Sequence, residues 1–242
     1  KETAADAYQK PDFSWVENGN MSAVLKEKIK EIYQNRHQGT HYYIKKAYYD
    51  GNPEFINEQL YSTSFPDQNL RLLALYRYWN IIQYFFPYKY LTDKNWDEVL
   101  REYIPKFINA KTALEYQLTV LQLAGETNDT HARHFLGANE IDLLRGTRYA
   151  PFLTNEIDSL RGTMYAPFRI RFIENKLTVT DYFKPELQKT AGLEIGDFIT
   201  HINGKEIEYI IDSIKSYYPA SNEAARMYYI APDLLRSNNH SI

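Results

Sequence analysis

Cysteine is absent from this chain of 242 residues, which removes disulfides, thiol nucleophiles and cysteine-ligated zinc together. Charge of one sign is also missing: Lys+Arg number 28 against Asp+Glu 31, a net charge of −3. Without a basic surplus there is no electrostatic footprint for nucleic acid, and no such partner is expected. No apolar run approaches the roughly 18 residues a membrane-crossing helix needs, so no transmembrane span is expected. Phosphate loops and dinucleotide fingerprints are lacking as well, because Gly192 and Gly196 have no GxGxxG context. What is plentiful is tyrosine, 22 residues scattered along the chain rather than clustered. That scatter fits core and surface packing better than an aromatic glycan platform. The length suffices for two modest domains, each with its own core. The first residue is Lys1 rather than Met, as expected of a chain from which a leader or anchor has been removed.

The expected fold class is α+β, an N-terminal helical domain followed by a small β-rich one. Residues 1–66 are the least readable part, with a helix expected over Met21–Asn35 (Val24, Ile29 and Ile32 on one stripe) and a strand over His41–Tyr49. A helical domain is expected over 67–138. Its first helix, Asn69–Phe86, is capped by Asp67, ended by Pro87, and carries Leu72, Leu75, Tyr76, Trp79, Ile82 and Phe86 at helical spacing. Asn95-Trp96-Asp97-Glu98 reads as a capping box opening a helix through Val99, Leu100, Tyr103 and Phe107, with a kink or break at Pro105. Thr112-Ala113-Leu114-Glu115 reads as a second box, opening a helix to Gly125. Residues 139–163 hold a duplication: Asn139–Phe152 recurs sixteen residues later as Asn155–Phe168, matching at 12 of 14 positions. Two copies are too few for a solenoid, so a local tandem duplication is the simpler account.

Residues 164–242 read as the β-rich domain. Phe168, Ile170 and Phe172 alternate on one strand, Leu177 and Val179 on the next, joined at Glu174-Asn175. Ala191-Gly192-Leu193-Glu194-Ile195-Gly196-Asp197-Phe198-Ile199 then gives two turns that need positive φ or close backbone approach, around a short apolar strand. Ile202-Asn203-Gly204-Lys205 is a hairpin turn, and Ile207–Tyr217 a helix bearing Ile210, Ile211 and Ile214.

The pattern AGL-x-x-GD-x-I-x-x-I-NG resembles the PDZ domain of bacterial serine peptidases. The preceding block, Trp79-Asn80-x-x-Gln83-Tyr84-Phe85-Phe86-Pro87, then Asn95–Val99, then Thr127-Asn128-Asp129-Thr130-His131-Ala132, resembles the region before that domain in tricorn-core and tail-specific (C-terminal-processing) serine peptidases. Together the resemblance covers about residues 67–240. It implies a hydrolase of peptides or proteins in the bacterial periplasm or envelope, without a cofactor. For the general base it implies either a lysine outside these residues, as in tail-specific members, or His131, since tricorn-like members take a histidine from the loop ahead of the PDZ domain. A neutral imidazole can accept a serine's proton and return it to the leaving amine. Asp129 stands close enough in sequence to orient it. Thr130 replaces the serine common before that histidine.

The same resemblance implies a peptide groove formed by Phe168, Ile170 and Phe172 with Ile210 and Ile214, peptides adding as a strand. Pro167, in Tyr165-Ala166-Pro167-Phe168, removes one backbone donor from the turn ahead of it. Ser213, Ser216 and Ser221 lie in or beside a helix rather than on a strand-to-helix elbow. The nucleophile is therefore expected in a C-terminal catalytic domain beyond Ile242, and the 242 residues alone should be inactive. Bland readings stand beside these: His131 capping a helix end, a PDZ-shaped spacer, or a non-catalytic peptide- or glycan-binding module. His131 with His134, and His37 with His41, have spacings compatible with a metal, but neither pair has a third ligand to close a set, and no metal is expected.

Overall fold

The computed structural model describes residues 12–37, 39–46, 53–58, 63, 65–132 and 162–238. Two compact units divide the chain, Lys1–Tyr61 and Ser62–Ile242. The fold is α+β, with helices first and a small β-rich region after them. The 16-residue duplication and His134 lie outside the described residues, apart from the last seven residues of the second copy.

In the first unit, α1 (Ser14–Asn18) and α2 (Ala23–Gln34) precede a two-stranded antiparallel ribbon, β1 (Ile44–Lys46) with β2 (Pro53–Phe55). Ser22 caps α2 by accepting from Leu25 N. The stripe anticipated on α2 does not form a core face: Val24 is 81% exposed and Ile32 62%. Its Lys/Glu alternation leaves too few apolar neighbours at helical spacing to bury one side.

In the second unit, α3 (Gln68–Phe85) begins where Asp67 accepts from the amides of Asn69 and Leu70, and ends at Phe86 before Pro87. Helix α4 (Trp96–Asn109) is capped by the Asn95 side chain through Asp97 N, and it runs unbroken through Pro105. Pro105 is exposed and sits one turn from the helix end, so the lost amide leaves a carbonyl that water can reach. Helix α5 (Ala113–Gly125) opens where Thr112 Oγ1 accepts from Glu115 N. The return bond from Glu115 goes to Lys111 N at 2.7 Å, one residue earlier than a capping box places it.

Leu75, Ile82, Trp96, Val99, Tyr103, Phe107 and Leu123 form the core of the three helices. Two features lock α3 to α4. The indole N–H of Trp79 donates to Trp96 O at 2.8 Å, and that of Trp96 donates back to Trp79 O at 3.0 Å. Arg71, buried at 6% exposure, spends its guanidinium on the carbonyls of Phe107, Ile108 and Pro66. The first two are carbonyls that the end of α4 would otherwise leave unpaired. Outside this core, Lys94 bridges Glu102 and Glu126, and Lys106 also reaches Glu102. Lys106 and then Lys94 hold the Glu102 carboxyl below the usual carboxylate range.

The β-rich region has its own core of Ile170, Leu177, Val179, Tyr182, Ile202, Ile207, Ile230 and Leu234 among others. Strands β4 (Phe168–Ile173) and β5 (Lys176–Tyr182) pair antiparallel through the Glu174-Asn175 turn, both residues at positive φ. A bulge opposite Arg169/Ile170 leaves Thr180 unpaired in the ladder, and its hydroxyl donates to Arg169 O. Helix α6 (Gln188–Ala191) ends at Gly192, φ 69°. Gly196, φ 102°, donates its N–H to Val179 O, and Asp197 O accepts from Val179 N, so the Gly-Asp corner extends the sheet into β6 (Phe198–Ile199). The Asp197 carboxylate accepts from Glu194 N at 2.7 Å, closing the turn. Strands β7 (His201–Ile202) and β8 (Lys205–Glu206) make the Asn203-Gly204 hairpin. Helix α7 (Ile207–Ile214) follows, then a 3₁₀ turn over Lys215–Tyr217.

Two elements close this region, and neither was anticipated. Helix α8 (Glu223–Leu234), capped by Asn222 through Ala225 N, lies alongside β4. Strand β9 (Arg236–Ser237) pairs with β3 (Met164–Tyr165). That pairing needs Gly162: at φ 97°, an added Cβ would lie 2.5 Å from the Ser237 backbone. Gly162→Ala should lower stability by about 1–3 kcal/mol and speed amide exchange in β3 and β9; unchanged exchange would show the pairing to be incidental.

Candidate active site

The turn that follows α5 is built from residue 127 onward. Buried Thr127 returns its N–H and its hydroxyl to Ala124 O, satisfying a helix-end carbonyl. Asn128 takes a left-handed φ of 51°, which reverses the chain and presents Asp129 to the residues after it. Residues 130–132 form a single 3₁₀ turn. One carboxylate oxygen of Asp129 accepts both His131 N at 2.9 Å and the His131 ring Nδ1 at 2.8 Å. A carboxylate only accepts, so Nδ1 carries a proton, and in the neutral ring Nε2 bears the lone pair. The His131 side chain is 90% exposed, and that of Asp129 29%.

Beneath the turn, Tyr78 of α3 hydrogen-bonds Thr127. Burial pushes its phenol well above the tyrosine range; the Thr127 bond works against that, and the Asp129 carboxylate adds to it. Beside the turn stands Ser221, in the link between the Lys215–Tyr217 turn and α8. Thr130 N and Thr130 Oγ1 both donate to Ser221 Oγ at 3.0 Å, and Ser221 N donates to Thr130 Oγ1 at 2.9 Å. Gln122 of α5 reaches Ser216 Oγ at 3.3 Å. The helical and β-rich parts are thus stitched together next to His131.

The groove candidates take different places. Ile170 is core, and Phe168, Phe172, Ile210 and Ile214 pack partly buried against that core. Helix α8, not α7, runs along β4, with Arg171 of β4 over the Tyr228 ring at 5.6 Å. Of the five, only Phe168 lines the cavity of about 620 Å³ between the start of β4 and the β6–β7 segment. Its other walls include Tyr165, Leu193, Phe198, Ile202 and Leu235. Exposed Phe198 and Tyr165 each carry a cation over the ring, Lys176 at 4.7 Å and Arg236 at 4.9 Å. Phe198, Ile199 and Ile202, expected as a short apolar strand between turns, supply part of the cavity wall.

The serines of the region are occupied. Ser213 donates to Ile210 O, Ser216 accepts from Gln122, and Ser221 holds Thr130. His37 and His41 sit beyond the end of α2 with rings edge-to-face at 5.3 Å. Among the described residues no group of three His, Asp or Glu side chains is placed to hold a metal, and no helix is long and apolar enough to cross a membrane. No protein-family model matches the chain, and no curated protein does.

Proposed function

We propose that these 242 residues are the substrate-positioning part of a serine endopeptidase acting on peptides or proteins in the bacterial cell envelope, with His131 as its general base. The observation that carries the reading is the 2.8 Å bond from His131 Nδ1 to Asp129, which points a basic, solvent-facing Nε2 away from the protein. An Asp-oriented imidazole of fixed tautomer is what proton transfer from a serine hydroxyl requires. Because Ser213, Ser216 and Ser221 are held in local hydrogen bonds, the nucleophile in this reading comes from a further domain of the same protein. The resemblance of the helical block and the Gly-Asp corner to tricorn-core and tail-specific peptidases supports the same assignment, and the proposed envelope location comes from that resemblance.

The cavity beside Phe168 favours a second reading, a non-catalytic module that binds extended peptides. A fluorophosphonate probe separates the two on the protein as its gene encodes it. The peptidase reading expects one covalently labelled serine, outside residues 1–242 by mass spectrometry. No labelled serine, together with micromolar-to-millimolar peptide binding by calorimetry, would establish the binding module instead.

A further inference from the structure

We infer that Ser221 is a positioning residue for the His131 base, acting through Thr130 across 91 residues of sequence; this rests on the reading of His131 as general base. Thr130, half-buried in a one-turn segment, is the link between the orienting carboxylate and the imidazole, and its side chain has more than one rotamer open to it unless something holds it. Ser221 removes that freedom. Its hydroxyl oxygen accepts the Thr130 N–H and the Thr130 hydroxyl, while its own N–H donates to Thr130 Oγ1. Three bonds between two residues fix both the backbone and the side chain of Thr130 in one arrangement. With Thr130 fixed, Asp129 Oδ1 lies within reach of both His131 N and His131 Nδ1.

The same clasp ties the base to the β-rich region. Ser221 stands two residues before Glu223, the first residue of α8, and α8 runs along β4. Gln122–Ser216 makes a second tie, and Gly125 lies close enough to Ser216 O that an added Cβ would come within 3.2 Å. A shift of α8 against β4 therefore reaches His131 through Ser221 and Thr130. None of the three Ser221–Thr130 bonds involves a reacting atom, so Ser221 positions the base and does not itself catalyse.

The test is the tautomer of the His131 ring, read by ¹⁵N NMR at about pH 8.5, where imidazole is neutral. Wild-type protein should show Nδ1–H as the dominant form. Ser221→Ala should lower the Nδ1–H to Nε2–H ratio roughly fivefold, the equivalent of one net hydrogen bond, and Ser221→Thr should restore it. Thr130→Val, which keeps the Thr130 N–H bond to Ser221, should move the ratio the same way and carries the test should Ser221→Ala not fold. An unchanged ratio in the folded variants, whatever happens to their melting temperature, would overturn the inference and leave Ser221 a fastener between two parts. The ratio does not depend on hydrolysis, so the two failures are distinguishable: failure to label a serine strikes the peptidase reading on which the role of a base rests, and an unchanged ratio strikes the positioning by Ser221 alone.

Discussion

Arg71→Met should destabilise the Ser62–Ile242 unit by about 3–5 kcal/mol, the largest loss expected from a single surface-remote substitution in this chain. Methionine matches the aliphatic stem but takes away every donor. The carbonyls of Phe107, Ile108 and Pro66 would then sit in a site where Arg71 itself is only 6% exposed, with the end of α4 uncapped. Contact with the Phe65 ring, 4.8 Å from the guanidinium carbon, would go as well. Arg71→Lys should recover little, because one ammonium cannot span carbonyls on two elements as a planar fork does. Urea unfolding followed by Trp79 and Trp96 fluorescence reads the effect. A fall in midpoint at constant slope is expected, and a loss below about 1 kcal/mol would mean that water replaces the guanidinium at no penalty.

The same residue shows where sequence reading stops. Helix α3 was legible because Asp67, Pro87 and the Leu75–Ile82 spacing all speak locally. Arg71 was not, since hydrophobic periodicity assigns any arginine to the solvated side and cannot see the carbonyls of a helix end 36 residues away. The turns at Glu174-Asn175, Gly196 and Asn203-Gly204 were legible for the same local reason: Asn175, Gly196, Asn203 and Gly204 are residue types that tolerate positive φ. Helix α8 was missed. Ser221 and Asn222 read as loop punctuation, Pro232 lies inside the helix, and its buried residues are only Ile230, Ala231 and Leu234. The groove residues followed from the family resemblance, which sets α7 beside β4, where α8 lies instead. The β3–β9 pairing joins residues 71 and 73 apart in sequence and leaves no periodic trace. Around His131 the expected chemistry came from the family resemblance, while the bond that orients the ring depends on the φ of Asn128, which residue spacing does not report.

The second large effect concerns that ring. In the protein as its gene encodes it, His131→Ala should lower peptide hydrolysis by about 10³-fold or more, because the proposed reading gives the serine proton to His131. Asp129→Ala should lower it by roughly 10²–10⁴-fold, through loss of the tautomer that leaves Nε2 basic. The two losses should not add, since orienting a base matters only while the base is there. Stability should respond differently. His131 is 90% exposed, so its removal should leave the melting temperature nearly unmoved, whereas Asp129→Ala also removes the acceptor of His131 N and should lower it slightly. The deciding measurement is kcat/KM of the His131→Ala protein on an extended peptide, taken beside its melting curve. Loss of turnover with the melting curve intact is the predicted result; wild-type turnover from a folded His131→Ala protein would contradict the assignment of this histidine as the base.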